Sequence, residues 1–173
     1  MSLNQEVSLQ LSMVQLYARL HEQGSIKWPN IESLLAFDPG ETTGWAYFEG
    51  LTLVDCGQLA TADIRPSVST YTKLIAKKQP QYAVMEEYRV YAWKAKEHSG
   101  STLVTARLIG VLETLMVQQG IPFKKQSASV GKAFMTDDRL KSFGMYKQGQ
   151  KHARDAIRHG CQCILFNGDF RGA

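Results

Sequence analysis

The sequence predicts an α/β protein whose core is a mixed five-stranded sheet, with three antiparallel strands followed by two parallel ones. Apolar runs of strand length alternate with helix-length amphipathic segments in the order three strands, helix, strand, helix, strand, helix. A chain of 173 residues with 44% apolar content can bury one ordinary hydrophobic core. Two of the apolar runs end in acidic residues, as expected when buried central strands deliver side chains to one edge of a sheet.

An amphipathic helix is predicted before the sheet, over residues 5–23. Its apolar residues recur at spacings of three and four, and Gly24 supplies a helix stop. Residues 25–30 have the character of a short linker. We therefore expect an N-terminal helical extension and linker over residues 1–30, packed on the domain or on a partner subunit, and a main domain over residues 31–173.

The first three strands are expected to form an antiparallel meander. Residues 34–38 are a continuous apolar run that ends in Asp38, which is typical of a strand buried on both faces. The apolar runs 43–48 and 51–59 flank the dipeptide Glu49-Gly50, which suits a tight hairpin turn.

The second half of the sequence alternates helices with strands. The predicted elements are a helix over 67–78, a strand over 82–85, a helix over 102–119, a short strand over 121–124 and a final helix over 151–166. Residues 127–149 are polar, basic and weakly patterned, although Asp137 and Asp138 are expected to begin a short helix.

Charge and cysteine content narrow the classes of function. The net charge is +4, and residues 124–158 contain nine Lys or Arg against three Asp, which favours a polyanionic partner. Because the sequence shows neither a membrane span nor a secretory signal, we expect a cytoplasmic protein, in the host cytoplasm if a phage encodes it. Cys56, Cys161 and Cys163 lack metal-ligand spacing and are expected to be reduced thiols.

Acidic residues at three separate places are the candidate catalytic groups. Asp38 and Glu86 each end an apolar run, and Asp155 lies near the start of the last predicted helix, where His152 shares its face. Carboxylates gathered at one edge of a mixed sheet suit Mg²⁺, which prefers hard oxygen ligands. Glu87 is adjacent to Glu86, but successive strand side chains point to opposite faces, so only one of the two is expected to reach the site.

Each of these residues also has a purely structural interpretation. The sequence Asp38-Pro39-Gly40 is common in turns, so its acid could be only a turn former. Asp155 could be a charge that favours a helix N-terminus, and His152 could be solvated beside it. We favour the functional interpretation, for Asp38 because an apolar run of the buried type precedes it.

Three motifs occur along the chain: Asp38-Pro39-Gly40-x-x-x-Gly44-x-Ala46, Val84-Met85-Glu86-Glu87-Tyr88 and His152-x-x-Asp155-Ala156. In this order they resemble the motifs of the RuvC family of Holliday-junction resolvases, within the ribonuclease H-like superfamily. The resemblance covers residues 33–165 and implies a ribonuclease H-like fold. The N-terminal helix and residues 127–150 lie outside the family pattern. The resemblance extends to family members from phages or other mobile elements.

The resemblance implies two-metal hydrolysis of DNA phosphodiesters by a homodimer that makes paired nicks in a four-way junction. It implies two Mg²⁺ ions per site, for which Mn²⁺ can substitute, and no nucleotide cofactor. Asp38 would bind both ions, Glu86 one and Asp155 the other. His152 would be a ligand or an orienter of the attacking water.

Two sets of side chains are candidates for DNA binding. The first interleaves aromatic rings, which can stack on unpaired bases, with basic groups that can neutralise phosphates: Tyr88, Arg89, Tyr91, Trp93, Lys94 and Lys96. The second is the basic set of the C-terminal half, which is expected to follow a DNA backbone: Lys124, Lys125, Lys132, Arg139, Lys141, Lys147 and Lys151.

Three other functions are compatible with parts of the sequence. A ribonuclease that cleaves RNA–DNA hybrids would use the same carboxylates, so the catalytic residues do not exclude it. A non-catalytic module that binds branched DNA is disfavoured because it would not need mutually repelling acids. The glycine turn also resembles the phosphate motif of actin-like ATPases and sugar kinases, but the chain is too short for their two lobes.

Overall fold

The computed structural model describes residues 13–24, 31–88 and 100–166. Its centre is one five-stranded sheet with the spatial order β3-β2-β1-β4-β5. The strands are β1 (Ser33–Asp38), β2 (Thr42–Glu49), β3 (Thr52–Ala60), β4 (Tyr82–Glu87) and β5 (Phe123–Ser127). β1 pairs antiparallel with β2 and parallel with β4, so the predicted mixed sheet is confirmed.

Local sequence explains how the sheet is connected. β2 and β3 form the expected hairpin, and the turn between them contains Gly50 at a φ of +54°, a conformation that glycine adopts without steric cost. The parallel pairs β1–β4 and β4–β5 require crossovers, and each crossover contains a helix. The final strand lies two to three residues later than the sequence predicted, because residues 121 and 122 connect the preceding helix to the sheet edge.

Six helices accompany the sheet in the described part of the chain. They are α1 (Met13–Glu22), α2 (Ile64–Lys78), α3 (Gly100–Gln118), α4 (Ala128–Phe134), α5 (Asp137–Ser142) and α6 (Lys151–Phe166). α2 begins three residues before the predicted start, because the Asp63 side chain accepts a hydrogen bond from the Arg65 backbone N–H and caps the helix.

The segment that the sequence left weakly patterned, residues 127–149, contains two short helices, α4 and α5. Asp137 and Asp138 occupy the first turn of α5, as predicted, and the Thr136 side chain caps it by accepting from the Arg139 backbone N–H. Helices of seven and six residues are too short to show a clear amphipathic period, which explains why the sequence pattern missed α4.

Side-chain alternation along the strands divides the core into two clusters, one on each face of the sheet. Leu34 and Ala36 of β1 pack with α6, α1, α4 and α5, whereas Leu35 and Phe37 pack with α2 and α3. Tyr17 of α1 is fully buried in the first cluster, so α1 packs on this domain. No helix in the described ranges is long and apolar enough to cross a membrane.

Candidate active site

Asp38 and Glu86 lie side by side because of strand register and alternation. Phe37 of β1 is paired with Met85 of β4 in the parallel ladder, so the next residue of each strand emerges at the same edge. Both acids belong to the face that packs on α6, since each follows an apolar neighbour of the opposite cluster. Glu87 belongs to the other face, so of the two acids Glu86 is the one on the side of the sheet that α6 covers.

The first turn of α6 sits directly on β2, and this contact places His152. A Cβ built on Gly44 would lie 1.9 Å from the His152 carbonyl oxygen, so only glycine allows the helix backbone to approach this closely. Further along α6, Gly160 gives a similar close approach to the Phe48 ring. Gly44 of the first motif therefore allows close packing of α6, the helix that carries the third motif.

His152 joins the two motifs by a hydrogen bond. Its Nδ1 is 2.8 Å from Oδ2 of Asp38, and its backbone N–H donates to Oε1 of Gln58 at 3.0 Å. The His152 side chain is 40% exposed, whereas the Asp38 side chain is 11% exposed. The ring thus reaches from solvent to the buried carboxylate and fixes its orientation.

Burial and neighbouring negative charge raise the pKa of the Asp38 carboxyl to about 6. Loss of water around the carboxylate is the largest cause, and the Glu86 carboxylate adds to it. The hydrogen bond from His152 lowers the pKa but does not offset these two effects, and the Asp155 charge raises it further. An acid in this state is stabilised by any cation that enters beside it.

Asp155 is close enough to influence Asp38 but has positive partners of its own. The Arg158 guanidinium is hydrogen-bonded to its Oδ1, and Lys132 Nζ lies 3.5 Å from its Oδ2. Arg158 in turn bonds Asp137 of α5 and the Met135 carbonyl oxygen. The third predicted metal ligand is therefore ion-paired to α4 directly and to α5 through Arg158.

Buried hydroxyl groups hold the turn that follows Asp38. Thr61 donates to the Gly40 carbonyl oxygen at 2.6 Å and accepts from the Thr43 backbone N–H at 3.1 Å. The Thr43 hydroxyl lies 2.7 Å from that of Thr61 and 2.6 Å from that of Tyr71. This hydrogen-bond network connects β2, the residue after β3 and α2, and it holds the turn that borders the site.

The acids open onto a cleft of about 440 Å³. Its lining consists of Asp38, Pro39, Gly40, Glu41, Thr42, Glu86, Tyr88, Thr105 and His152. Tyr88 is the one member of the first DNA-binding set that the structure describes, and it lines the cleft. Arg89, Tyr91, Trp93, Lys94 and Lys96 lie outside the described residues.

The donor set of the cleft fits a hard divalent cation. Asp38 and Glu86 present carboxylate oxygens, which are the ligands that Mg²⁺ prefers, and His152 lies beside them. Within the described ranges, no three His, Cys, Asp or Glu side chains are already close enough together to hold a metal ion. Holding a cation would thus draw the carboxylates closer and relieve the repulsion that raises the pKa of Asp38.

His159 is a residue of this site that the sequence analysis did not assign. It lies on α6 one helical turn beyond Asp155, is 1% exposed, and its Nε2 is 2.9 Å from Oε2 of Glu86. The signal was present in the sequence, because His152 and His159 are seven residues apart and therefore share a helical face.

The second DNA-binding set is dispersed over the surface and partly engaged within the protein. Lys125 pairs with Glu113, Lys132 with Asp155, and Lys141 with Asp138. Arg139 donates to the Phe134 carbonyl oxygen. The remaining members, Lys124, Lys147 and Lys151, lie on β5, before α6 and at the first residue of α6.

The three cysteines are free thiols. Cys161 and Cys163 are buried in α6, and burial raises the pKa of each thiol to about 12. Cys56 is also a free thiol, and burial raises its pKa as well. Neutral thiols are weak nucleophiles and poor metal ligands.

Comparison with known proteins identifies the fold. No family model and no curated protein sequence matches this chain. Among solved structures, RuvC of Thermus thermophilus in complex with a Holliday junction substrate aligns with a TM-score of 0.62 and 12% identity, over 78% of this chain and 94% of that chain. A second structure of Thermus thermophilus RuvC aligns with a TM-score of 0.58 and 12% identity, over 78% of this chain and 95% of that chain.

A second solved protein gives the same result. The yeast mitochondrial Holliday junction resolvase Ydc2 aligns with a TM-score of 0.56 and 13% identity, over 88% of this chain and 85% of that chain. The chain therefore has the RuvC-type, ribonuclease H-like fold, which confirms what the three sequence motifs implied about its architecture.

Proposed function

We propose that this protein is a divalent-metal-dependent endonuclease that nicks four-way DNA junctions or other branched DNA. The observation that carries the proposal is the buried Asp38 carboxylate, which stands beside Glu86 in an open cleft with its pKa raised. Such an arrangement is unfavourable unless a cation enters it. The shared fold with RuvC, whose complex contains a Holliday junction, supports DNA as the substrate.

Each residue of the cleft has a distinct task in this proposal. Asp38 and Glu86 would hold Mg²⁺ or Mn²⁺ through their carboxylate oxygens, while His152 orients Asp38. Two such ions, when bound, activate an attacking water and stabilise the leaving oxygen of a phosphodiester. The rigid turn after Asp38 keeps the carboxylate in place during substrate binding.

A second ion would require Asp155. Its carboxylate is engaged by Arg158 and Lys132, so it would exchange these cationic partners for the metal. The exchange is electrostatically balanced, because the carboxylate passes from one set of positive charges to another. We propose that the second ion binds more weakly than the first for this reason.

The DNA would enter across the cleft mouth, where Tyr88 can stack on an unpaired base. The basic side chains of the C-terminal half would neutralise phosphates on either side. Because a four-way junction has two strands to cut, paired nicks imply two copies of the chain related by a two-fold axis. We therefore include a homodimer in the proposal.

The test is a cleavage assay with four radiolabelled substrates: a four-way junction, a flap, a linear duplex and an RNA–DNA hybrid. The parent protein should nick the junction only when Mg²⁺ or Mn²⁺ is added. The Asp38→Asn variant should retain junction binding in a gel-shift assay but lose detectable nicking, because it removes the ligand at the centre of the cleft.

The matched control is Asp138→Asn, which removes an acid of the same type whose side chain is 94% exposed on α5. This variant should cut like the parent. Cleavage of the hybrid without cleavage of the junction would reject the resolvase function in favour of a ribonuclease. Junction binding without any cleavage would favour the non-catalytic module.

A further inference from the structure

His159 contacts two side chains on neighbouring strands, one through each ring nitrogen. Its Nε2 is 2.9 Å from Oε2 of Glu86 on β4, and its Nδ1 is 3.0 Å from Oε1 of Gln126 on β5. Glu86 and Gln126 are direct partners in the β4–β5 ladder, so both emerge on the face covered by α6. The imidazole therefore spans the two strands from above.

Gln126 holds the far side of this ring. Its Nε2 donates to Oε1 of Gln162 at 2.6 Å, one turn beyond His159 on the same helix. Gln126 is 8% exposed and His159 is 1% exposed, so water has almost no access to these contacts. Hydrogen bonds thus join four side chains in a row, Glu86–His159–Gln126–Gln162. Of these four, Glu86 is the one that lines the cleft.

The contact constrains one oxygen of Glu86 and leaves the other for a ligand. Within the described residues, the hydrogen bond of the Glu86 carboxylate is the one that its Oε2 makes with His159. The Glu86 side chain is 22% exposed, so without this contact it could rotate among several solvated positions. Hydrogen bonds of this kind fix metal-binding carboxylates in other proteins and tune their affinity.

We propose that His159 is a positioning residue that fixes the Glu86 carboxylate for divalent-metal binding, with Gln126 and Gln162 fixing the ring in turn. The inference rests on the proposed function, because it assumes that Glu86 binds a metal ion. It adds a layer of residues from β5 and α6 that touches neither metal nor DNA. In this layer Nε2 controls the metal site, and Nδ1 only anchors the ring.

Two substitutions separate the roles of the two ring nitrogens. In His159→Gln the side-chain amide nitrogen can reach the place of Nε2 and keep a donor for Glu86. In His159→Asn the shorter amide can replace only Nδ1, so the bond to Glu86 is lost. Mn²⁺ binding to DNA-free protein, followed by the electron paramagnetic resonance signal of free Mn²⁺, measures the effect without relying on activity.

His159→Asn should weaken Mn²⁺ binding about 10- to 100-fold and raise the Mg²⁺ concentration needed for junction nicking by a similar factor. His159→Gln should bind and nick close to the parent level. Equal loss in both variants, or no loss in either, would overturn the positioning role. A parent protein whose Mn²⁺ binding is absent or does not depend on Asp38 would instead overturn the proposed function itself, and this inference with it.

A measurement on the parent protein covers the case in which a buried variant does not fold. In protein labelled with ¹⁵N at histidine, Mg²⁺ should shift the Nε2 resonance of His159, because the metal withdraws electron density from the carboxylate that Nε2 contacts. The same addition should leave this resonance unchanged in Asp38→Asn. An unchanged His159 resonance in the parent, under conditions where junction nicking is saturated with Mg²⁺, would overturn the proposal.

Discussion

Asp38 and Asp155 are neighbouring acids with nearly equal burial, 8% and 4% exposed, but opposite electrostatic surroundings. Asp38 faces a second carboxylate, Glu86, and is left with an unfavourable charge. Asp155 is paired with Arg158 and Lys132 and is neutralised within the protein. Nearly equal burial therefore does not give the two acids the same environment: desolvation and the Glu86 charge oppose ionisation of Asp38, whereas Arg158 and Lys132 balance the charge of Asp155.

Because of this difference, the ionised forms of the two acids have different effects on the stability of the fold. An uncompensated buried charge destabilises the fold but attracts a cation, whereas a paired one stabilises the local structure and must be released before it can bind. Under the proposed function, a metal ion would bind first on the Asp38 side of the site. The Asp155 side is prepared to hold α4 and α5 against α6.

The largest expected effect is on the free energy of unfolding of metal-free protein at pH 7.5. Asp38→Asn and Asp155→Asn should change it in opposite directions. The first should stabilise the fold by up to about 3 kcal/mol, because the Asp38 pKa is raised from 3.8 to about 6 and each unit corresponds to about 1.4 kcal/mol. The second should destabilise it by about 3 kcal/mol, because it leaves the buried Arg158 undercompensated. Urea unfolding measures both.

The exposed acid Asp138 provides the matched control, since Asp138→Asn should change the free energy of unfolding by less than about 0.5 kcal/mol. Destabilisation by Asp38→Asn as large as that by Asp155→Asn would contradict the comparison. It would mean that the hydrogen bond with His152 outweighs the desolvation and repulsion at Asp38.

The pH dependence of stability should show the Asp38 charge directly. Between about pH 4 and pH 6 the folded state holds a proton on Asp38 that the unfolded chain has released. The contribution of this group to the free energy of unfolding therefore falls as pH rises through that window and is constant above it. Urea unfolding of the parent and of Asp38→Asn from pH 4 to pH 8 should give curves whose difference develops in this range.

Saturating Mg²⁺ should reduce that difference, because a bound cation stabilises the ionised carboxylate of the folded state. A difference between parent and Asp38→Asn that is constant from pH 4 to pH 8 would show that the Asp38 carboxyl titrates equally in the folded and unfolded states. The contrast with Asp155 would then rest on geometry alone.

The smallest expected effect concerns Lys132. Lys132→Met removes the weaker partner of Asp155, whose Nζ is 3.5 Å away and whose side chain is half exposed. Mn²⁺ affinity should rise by at most about fivefold, since pairs of this kind contribute up to about 1 kcal/mol. Lys141→Met removes a similarly exposed lysine that pairs with Asp138 and should leave the affinity unchanged. Unchanged affinity in Lys132→Met would separate Asp155 from the metal site.

Much of the fold could be predicted from sequence because its central strands are buried on both faces. The continuous apolar runs that end at Asp38 and just before Glu86 correspond to β1 and β4. Their positions between the helical segments predict the element order. The edge strand β5 contains two lysines, so its bounds are not marked by a continuous apolar run as those of β1 and β4 are. α4 is too short for its period to be visible.

The sequence nominated Asp38, Glu86, His152 and Asp155, whereas it did not nominate His159 or predict the contacts between these side chains. Asp38, Glu86, His152 and Asp155 converge at one sheet edge, as their positions at element ends imply. The ion pair of Asp155 with Arg158 and the contact of His159 with Glu86 depend on the rotation of α6 about its axis. A sequence gives the spacing of residues on a helix, but packing decides which neighbour each one meets.

The close packing of α6 on Gly44 of β2 has a consequence for the order of folding. The hydrogen bond between Asp38 and His152 joins residues 114 positions apart, so it forms only after a long loop has closed. Asp38 and Glu86 lie on β1 and β4, whereas the two histidines that contact them, His152 and His159, both lie on α6. The candidate site is therefore complete only once α6 has packed against β2.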